Sequence, residues 1–559
     1  MKFSISWLQE HLVTRATLAE ITETMVRLGL EVEDVDNPAA RLADFTIAHV
    51  TEAARHPKAD RLNLCRVQTK DGEKQIVCGA PNARAGMTAV YAPLGTWIPG
   101  SGFALDKKPK KIKDVDSHGM LCSARELGLG EDHDGIIDLP GTHAVGTPVA
   151  DAMGLNDPVI HFEITPNRPD WLGVVGIARD LAAGGLGRFK PQMPDANVLA
   201  GRFDCPIKVG VETPLAPLFG GVLIRGVRNG PSPEWLQRRL KSIGLTPKSL
   251  LVDVTNFISC DRARPLHAYD ARKLEGRVHT REAREGEVLE ALDGKTYTLS
   301  PGMVVIADAS GVIGLGGIMG GASTAVSDDT VDVFIESAWF EPLTIARTGR
   351  ATGIVSDARY RFERGVDPAS VEEGLAAAVA LITAHGGGEV SRPVIAGKAP
   401  PRSERVAFHT RDVERLTGLK VKPAEMKRIL RDLGFDIEDA GDTWYITVPT
   451  WRMDVSQSAD LVEEIARVTG FDRLPMQSLP GSGAMPRPIT TPIQERVRVG
   501  RRVMAARGYH EAVTWSFMLR SRAEAFGGGA DPLVIANPVA SDLDCMRPSA
   551  LANLAQAAQ

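Results

Sequence analysis

The sequence is poor in cysteine, carries almost no net charge and contains no long apolar run. Its six cysteines in 559 residues (65, 78, 122, 205, 260 and 545) form no CxxC pair. That spacing excludes a zinc ribbon and a disulfide scaffold and fits a reduced, cytoplasmic protein. No stretch approaches the roughly 20 apolar residues of a membrane-spanning helix. The opening Met1-Lys2-Phe3-Ser4-Ile5-Ser6 lacks the apolar stretch and cleavage site of a signal peptide. With 65 Lys+Arg against 70 Asp+Glu, the formal charge of −5 excludes a simple polycation, so any nucleic-acid contact must be local. What is present is an ordinary globular composition, 43% hydrophobic and 24% charged. Its length suits about three to five domains.

The texture changes along the chain. Thr17 and Glu20 have capping-box spacing before Leu18, Ile21, Met25 and Leu28, and Gly29 can stop that helix. From about residue 40, short β-like stretches (Thr46–Val50, Leu62–Val67, Gln75–Cys78, Thr88–Pro93) suggest a small barrel or sandwich. Helical texture returns at Trp171–Ala183, and the Gly/Pro-rich stretch from Gly184 to Pro206 suggests a boundary. Residues 207–395 mix strands such as Val304–Ala307 and Val331–Glu336 with helices such as Pro233–Ile243 and Val371–Ala384. After Ala399-Pro400-Pro401 comes a compact unit. Its helix starts at Pro423 and stops at Gly434, a strand covers Trp444–Val448, and an acidic helix covers Asp460–Val468. The linker Leu479-Pro480-Gly481-Ser482-Gly483 precedes a helix at Ile493–Gly508 and a strand at Glu511–Phe517.

Charge is uneven. Arg55 to Lys113 holds twelve Lys/Arg and four Asp/Glu, net +8, whereas Asp114 to Asp138 holds seven acids and one arginine, net −6. The densest run contains Lys107, Lys108, Lys110, Lys111 and Lys113. On charge alone this is either a solvated loop or a basic strip for a phosphate backbone. Tyr91, Trp97 and Phe103 are too few to stack many bases, which favours backbone recognition.

Several ordered blocks carry a resemblance. His56-Pro57-Lys58-Ala59-Asp60-Arg61-Leu62, Ile76-Val77-Cys78-Gly79-Ala80-Pro81-Asn82 and Gly119-Met120-Leu121-Cys122-Ser123 resemble the OB-fold tRNA-binding domain of synthetases and their accessory factors. Downstream come Phe162-Glu163-Ile164-Thr165-Pro166-Asn167-Arg168-Pro169-Asp170, Arg264-Pro265-Leu266-His267-Ala268-Tyr269-Asp270, Gly317-Ile318-Met319-Gly320-Gly321 and the block Ser356 to Gly365. Together these resemble the β subunits of bacterial phenylalanyl-tRNA synthetases over essentially the whole chain. Such subunits are usually longer, so the resemblance implies a truncated or incomplete sequence without the family's C-terminal ferredoxin-like anticodon-binding domain.

The implied fold class is multidomain α+β. An N-terminal segment (1–38, continued by 151–195) and an OB-fold (39–149) precede a central α/β editing domain (200–395). A winged-helix-like domain with a magnesium motif (401–476) and an incomplete class II synthetase catalytic-like domain (487–559) follow. In the central domain the resemblance places an editing pocket for mischarged tyrosyl-tRNA at His267, Gly320, Glu336, Ser356 and Ala358. A hydrophobic pocket rejects an added hydroxyl only about a hundredfold, so editing needs buried polar partners for the phenol. A carboxylate and an imidazole are suitable partners, and glycine admits close approach of a backbone. Taken without the resemblance, a lone His267 between Leu266 and Ala268 is more often a hydrogen-bonded core residue, and the glycine stretch is equally a tight turn. The stretch misses GxGxxG, and spacing reveals no Ser-His-Asp arrangement.

Asp460, Glu463 and Glu464 share one side of their helix, with Asp454 just upstream. Oxygen ligands alone suit Mg²⁺, although Asp460 as N-cap with Glu463 at N3 is also a capping box. Trp451 to Asp454 and Asp460 to Arg467 match the family's magnesium motif. Asn537-Pro538-Val539 and Met546-Arg547-Pro548-Ser549 resemble a class II fold without its catalytic signature, and no Walker A motif is present. The resemblance therefore implies a subunit of an (αβ)₂ phenylalanine–tRNA ligase using ATP and Mg²⁺. The α subunit would activate and transfer phenylalanine, while this chain contacts tRNA(Phe), edits and assembles. The alternative is a catalytically silent tRNA-binding scaffold.

Overall fold

A computed structural model of the chain describes residues 1–130, 132–400, 405–476 and 489–558. The Leu479–Gly483 linker and Pro401 lie outside the described residues. The chain divides into two compact units, Met1–Pro475 and Met476–Gln559.

In the first unit, the N-terminal segment folds with residues far along the chain. Val159–Glu163 pairs antiparallel with Lys2–Ser4 on one side and Glu31–Asp36 on the other. The helix Leu18–Arg27 has its capping box at Thr17 and Glu20 and ends at Gly29, whose φ is +92°. Arg188–Phe189 pairs with Leu12–Val13, so the expected boundary from Gly184 onward begins as part of this segment.

Residues 46–121 form a five-stranded antiparallel sheet. Its order is Met120–Leu121, Thr88–Ala92, Thr46–His56, Ala59–Thr69 and Gly72–Cys78. The sheet curls on itself, because the His118 N–H donates to the Gln75 carbonyl across its two edges (2.9 Å). Two of the expected strands are about twice as long as the sequence suggests. Irregular register after Val50 and after Arg55 lets one strand bend while it stays paired.

The central region contains two sheets over a shared core that includes Phe219, Tyr269, Ile306, Phe334 and Phe340. One sheet runs His267–Asp270, Val333–Trp339, Leu218–Arg225, Glu389–Val390, and Val394–Gly397 also pairs with its third strand. The other runs Val209–Val211, Val278–Glu282, Val304–Asp308, Gly311–Leu315, Met319–Gly320. Among the strands of these two sheets only Val209–Val211 with Val278–Glu282 is parallel, besides an isolated parallel bridge of Phe203 to Ser391. The α/β expectation is thus corrected towards α+β. Connections such as Ala309-Ser310 are two residues long, and a parallel crossover requires a dozen or more.

Residues 405–476 place a three-stranded sheet (Val406–His409, Thr443–Thr447, Asp436–Ala440) against the helices Arg411–Thr417, Pro423–Asp432 and Ser458–Thr469. The last helix starts two residues earlier than expected. Gln457 is its N-cap and Asp460 its N3 residue, which corrects the capping box expected at Asp460 and Glu463. A single apolar core runs from Phe3 and Trp7 through Val254 and Ile335 to Ile465 and Val468.

In the second unit the helix Pro492–Ala506 buries none of its residues. The strand expected over Glu511–Phe517 is reduced to Phe517–Met518 paired with Cys545–Met546, and the core there is Met518, Ala523, Cys545 and Ala552. With Val513 and Trp515 largely exposed, the upstream residues have no apolar face to bury.

The helix Leu250–Arg262, which leads into Arg264 to Asp270, is anchored to the N-terminal segment by a buried cluster. Trp7 Nε1 donates to Asp261 Oδ1 at 2.7 Å, and His11 Nε2 lies 2.7 Å from the same oxygen. Burial pushes the Asp261 carboxyl up, but the hydrogen bond and charge of His11 outweigh it, so the group sits below the usual carboxylate range. Asp261→Leu leaves two buried polar groups orphaned and should cost about 3 kcal/mol, read by urea denaturation.

Candidate functional site

Four of the five residues singled out for the central pocket line one cavity of about 440 Å³. His267, Gly320, Glu336 and Ala358 line it, with Tyr269, Leu292 and Met319. Glu336 lies in the middle of Val333–Trp339, directly opposite His267 on the neighbouring strand. Residues two apart on a strand share a face, so His267 and Tyr269 both stand over the cavity with Glu336. Ser356 is not in the wall. It caps the helix Asp357–Phe362 by accepting from Arg359 N (3.1 Å) and donates to the Ile318 carbonyl (2.7 Å), so it holds the wall from behind.

Gly320 is required by contact. A Cβ there would sit 2.3 Å from His267 Cε1 and 2.7 Å from Nε2. The imidazole packs edge-on against Tyr269 at 4.4 Å between centroids, and its buried Nε2 has no hydrogen-bond partner. Burial lowers the His267 pKa to about 4, so the ring is neutral at pH 7. Glu336 is 7% exposed and accepts a hydrogen bond from the Tyr269 hydroxyl at 2.5 Å. Burial raises its pKa to about 7, with that hydrogen bond pulling the other way. The sequence reading missed Tyr269 as a site residue, although its position two after His267 on a strand was the available signal.

The five lysines lie on or beside a hairpin at the edge of the five-stranded sheet. Lys110–Ile112 pairs with Val115–Ser117 through a turn at Lys113 and Asp114, both with positive φ (48° and 69°). All five lysines are exposed. Asp114 takes its ion pair from Lys58 rather than from any of them (2.6 Å).

The expected magnesium ligands do not converge on a shared open point. Glu464 accepts from Arg452 (2.6 Å) and from Arg467 (2.8 and 3.0 Å), and Asp454 receives a two-pronged contact from Arg452 (2.8 and 2.9 Å). Asp460 accepts from the backbone N–H groups of Ser456 and Gln457, at 2.8 and 3.0 Å. Glu463 is exposed. Among the described residues no three His, Cys, Asp or Glu side chains are arranged to hold a metal. The donor set expected for Mg²⁺ therefore does not fit this geometry, because arginines already occupy its two most buried members.

The same arginines extend the network. Arg467 also reaches Asp180 (2.8 Å), and Arg168 bridges Asp180 (3.1 Å) and Asp170 (2.9 Å). Burial pushes Glu464 up, but Arg467 and Arg452 override it and hold the group far below the usual carboxylate range.

Once these features are combined, the sequence comparisons define the class. Residues 45–148 match the family described as putative tRNA binding domain, 215–387 the B3/4 domain, and 406–471 the tRNA synthetase B5 domain. Residues 477–559 match the phenylalanyl tRNA synthetase beta chain CLM domain. Phenylalanine–tRNA ligase beta subunits are similar over the entire chain. That of Rhodospirillum rubrum is 52% identical, covering 100% of this chain and 70% of the relative. Those of Nitrobacter winogradskyi and Bradyrhizobium diazoefficiens are each 50% identical, covering 100% of this chain and 69% and 70% of the relatives. The chain belongs to the phenylalanine–tRNA ligase beta-subunit family.

Two outcomes follow from this geometry. Gly320→Ala should displace His267 and abolish most cavity function while the thermal unfolding midpoint stays nearly unchanged, as the added methyl meets a side chain at a cavity rim. Glu464→Gln should destabilise the chain by about 2–3 kcal/mol whether or not Mg²⁺ is present, because two buried guanidinium groups each lose one of their two charged partners. Since the folded pKa of Glu464 lies below its unfolded value, its contribution is present above about pH 4.3 and is lost as pH falls further. Urea titrations with Mg²⁺ or with EDTA, at pH 7 and at about pH 2, read both effects.

Proposed function

We propose that this chain is the β subunit of a phenylalanine–tRNA ligase that joins L-phenylalanine to tRNA(Phe) with ATP. It works with an α subunit in an (αβ)₂ assembly in the cytoplasm. The α subunit carries adenylation and transfer. This chain binds tRNA through an OB-fold at 39–149, edits at 200–395, and contributes a winged-helix-like domain at 401–476 and a class II catalytic-like domain from 487 for assembly. No described helix is long and apolar enough to cross a membrane.

The observation that carries the editing role is the cavity that sets a buried Glu336 across from a neutral His267 above Gly320. Within the cavity the carboxylate accepts a hydrogen bond from a tyrosine hydroxyl that phenylalanine lacks. Phenylalanine in the same place would leave a buried acceptor unmatched, which costs about 1–3 kcal/mol or more for a charged group. His267 offers its unpartnered ring nitrogen as an acceptor or, in the other tautomer, a donor, and Ala358 and Gly320 leave room for the ring. Hydrolysis of the ester uses an oriented water and the hydroxyl of the tRNA itself, and no protein nucleophile is assigned. The exposed lysines 107, 108, 110, 111 and 113 supply phosphate contacts, which set affinity without reading sequence. The helix Pro492–Ala506, with Ile493, Val497 and Val503 exposed, is suited to a partner surface.

Holoenzyme supplied with Tyr-tRNA(Phe) tests the reading. The unmodified protein should hydrolyse it, and Glu336→Ala should lose at least tenfold of that rate, the scale of one charged hydrogen bond, while phenylalanylation continues. Persistent Tyr-tRNA(Phe) with intact tRNA binding would favour the silent scaffold. Lys110→Ala with Lys111→Ala should reduce the slope of log affinity against log salt by about 2.

A further inference from the structure

The editing reading assigns Glu336 to the phenol of a substrate, but in the structure one oxygen of Glu336 already holds a phenol, that of Tyr269. We propose that Tyr269 is a positioning residue for tyrosine recognition, its hydroxyl fixing one carboxyl oxygen of Glu336 so that only the other is presented to the cavity. The proposal rests on the editing reading and adds to it the element that limits Glu336 to a single incoming hydroxyl.

The strand pairing makes the contact obligatory. His267 faces Glu336 and Tyr269 faces Phe334, so the Tyr269 ring crosses diagonally to Glu336 on the same face of the sheet. His267 on one side (4.4 Å) and Phe334 on the other (6.5 Å) hold the ring, which is only 1% exposed. Its hydroxyl therefore has one acceptor within reach, Glu336 Oε2 at 2.5 Å. Glu336 Oε1 takes no hydrogen bond from the protein and is not among the fully buried unpartnered atoms, so it opens on the cavity. A carboxylate left to itself rotates and accepts through either oxygen. Pinned by Tyr269, it offers one acceptor in one direction, and the ligand that completes it is one with a single hydroxyl donor at the end of an apolar ring.

The hydrogen bond also bears on ionisation. A phenol donating to a carboxyl stabilises the carboxylate, opposing the burial that brings Glu336 to about 7. Few other charges share the space. Lys248 and Asp357 line the cavity, His267 is neutral, and Asp308 acts on Tyr269 rather than on Glu336. Tyr269 is thus the polar group best placed to keep Glu336 ionised at neutral pH, when its open oxygen accepts most strongly.

Two replacements of Tyr269 in the holoenzyme push Glu336 in opposite directions. Tyr269→Phe removes the donor. Site-specific 3-fluorotyrosine keeps the shape and makes a more acidic phenol, hence a stronger donor. Deacylation of Tyr-tRNA(Phe) is measured from pH 6 to 9, with phenylalanylation as the check on folding and assembly. With Tyr269→Phe, KM for Tyr-tRNA(Phe) at pH 7 should rise roughly three- to tenfold, the effect of one hydrogen bond, and the acid limb should move to higher pH. At pH 8.5 kcat should change little. With 3-fluorotyrosine the limb should move to lower pH. An unchanged KM and an unmoved limb in either variant that still phenylalanylates would overturn the proposal, as would equal losses of both activities with no movement of the limb. If the unmodified holoenzyme spares Tyr-tRNA(Phe), the editing reading itself fails, a result visible before any variant is made.

Discussion

Seven charged side chains far from solvent set the terms on which the first unit can fold. Arg168, Arg452 and Arg467 interleave with Asp170, Asp180, Asp454 and Glu464, all with side chains 15% exposed or less. An isolated charge at such depth costs several kcal/mol, so none of the seven is tolerable without its neighbours. The chain order shows what this achieves. Arg168, Asp170 and Asp180 come from the segment that completes the N-terminal sheet, while Arg452, Asp454, Glu464 and Arg467 come from the small sheet-and-helix unit after residue 405. Arg467 also donates to the Leu28 carbonyl (3.0 Å), and the guanidinium of Arg168 lies 3.7 Å over the Trp171 ring. Apolar packing brings these surfaces together, and the charges admit one registration of them.

The cavity between the central strands turns the same cost to a different purpose. Glu336 is buried and His267 half-buried with its Nε2 enclosed, both with few partners, and desolvation shifts both towards neutrality, the acid upward and the imidazole downward. In the network, burial is overruled by paired charge. In the cavity it is left partly uncompensated, which is the condition for a group to gain from an incoming ligand. The cost of burial is thus left standing at the cavity, which has Gly320 against His267 and a helix cap, Ser356, hydrogen-bonded to the Ile318 carbonyl of its wall.

Local signals were legible in the sequence and long-range ones were not. Thr17 with Glu20, the stop at Gly434, the Pro423 helix and the buried strand around Val304 each follow from spacing within a few residues. The pocket was legible only in part. His267, Gly320, Glu336 and Ala358 lie apart in the chain, and motif resemblance rather than periodicity brought them together. Tyr269 escaped because its partner is on a different strand, so the hydrogen bond is written in register and not in sequence. The acidic helix shows a related dependence on the fold. Asp454 and Glu464 have the composition of a cation site, but the cations that meet them are arginines, one of them only two residues from Asp454. Counting nearby carboxylates cannot distinguish a bound metal from a guanidinium when the latter's orientation depends on the fold.

The registration imposed by Asp180 and Arg467 has a bearing on how freely this architecture can be recombined. A segment bounded by exposed linkers looks like an exchangeable module, and residues 405–476 have their own sheet and helices. Yet that segment ends its charge network on a carboxylate and a backbone carbonyl supplied by the first 180 residues. Grafted onto a host lacking them, it would carry the Arg467 guanidinium into an apolar seam with Glu464 as its remaining partner. Its independence is one of sequence order and not of energy.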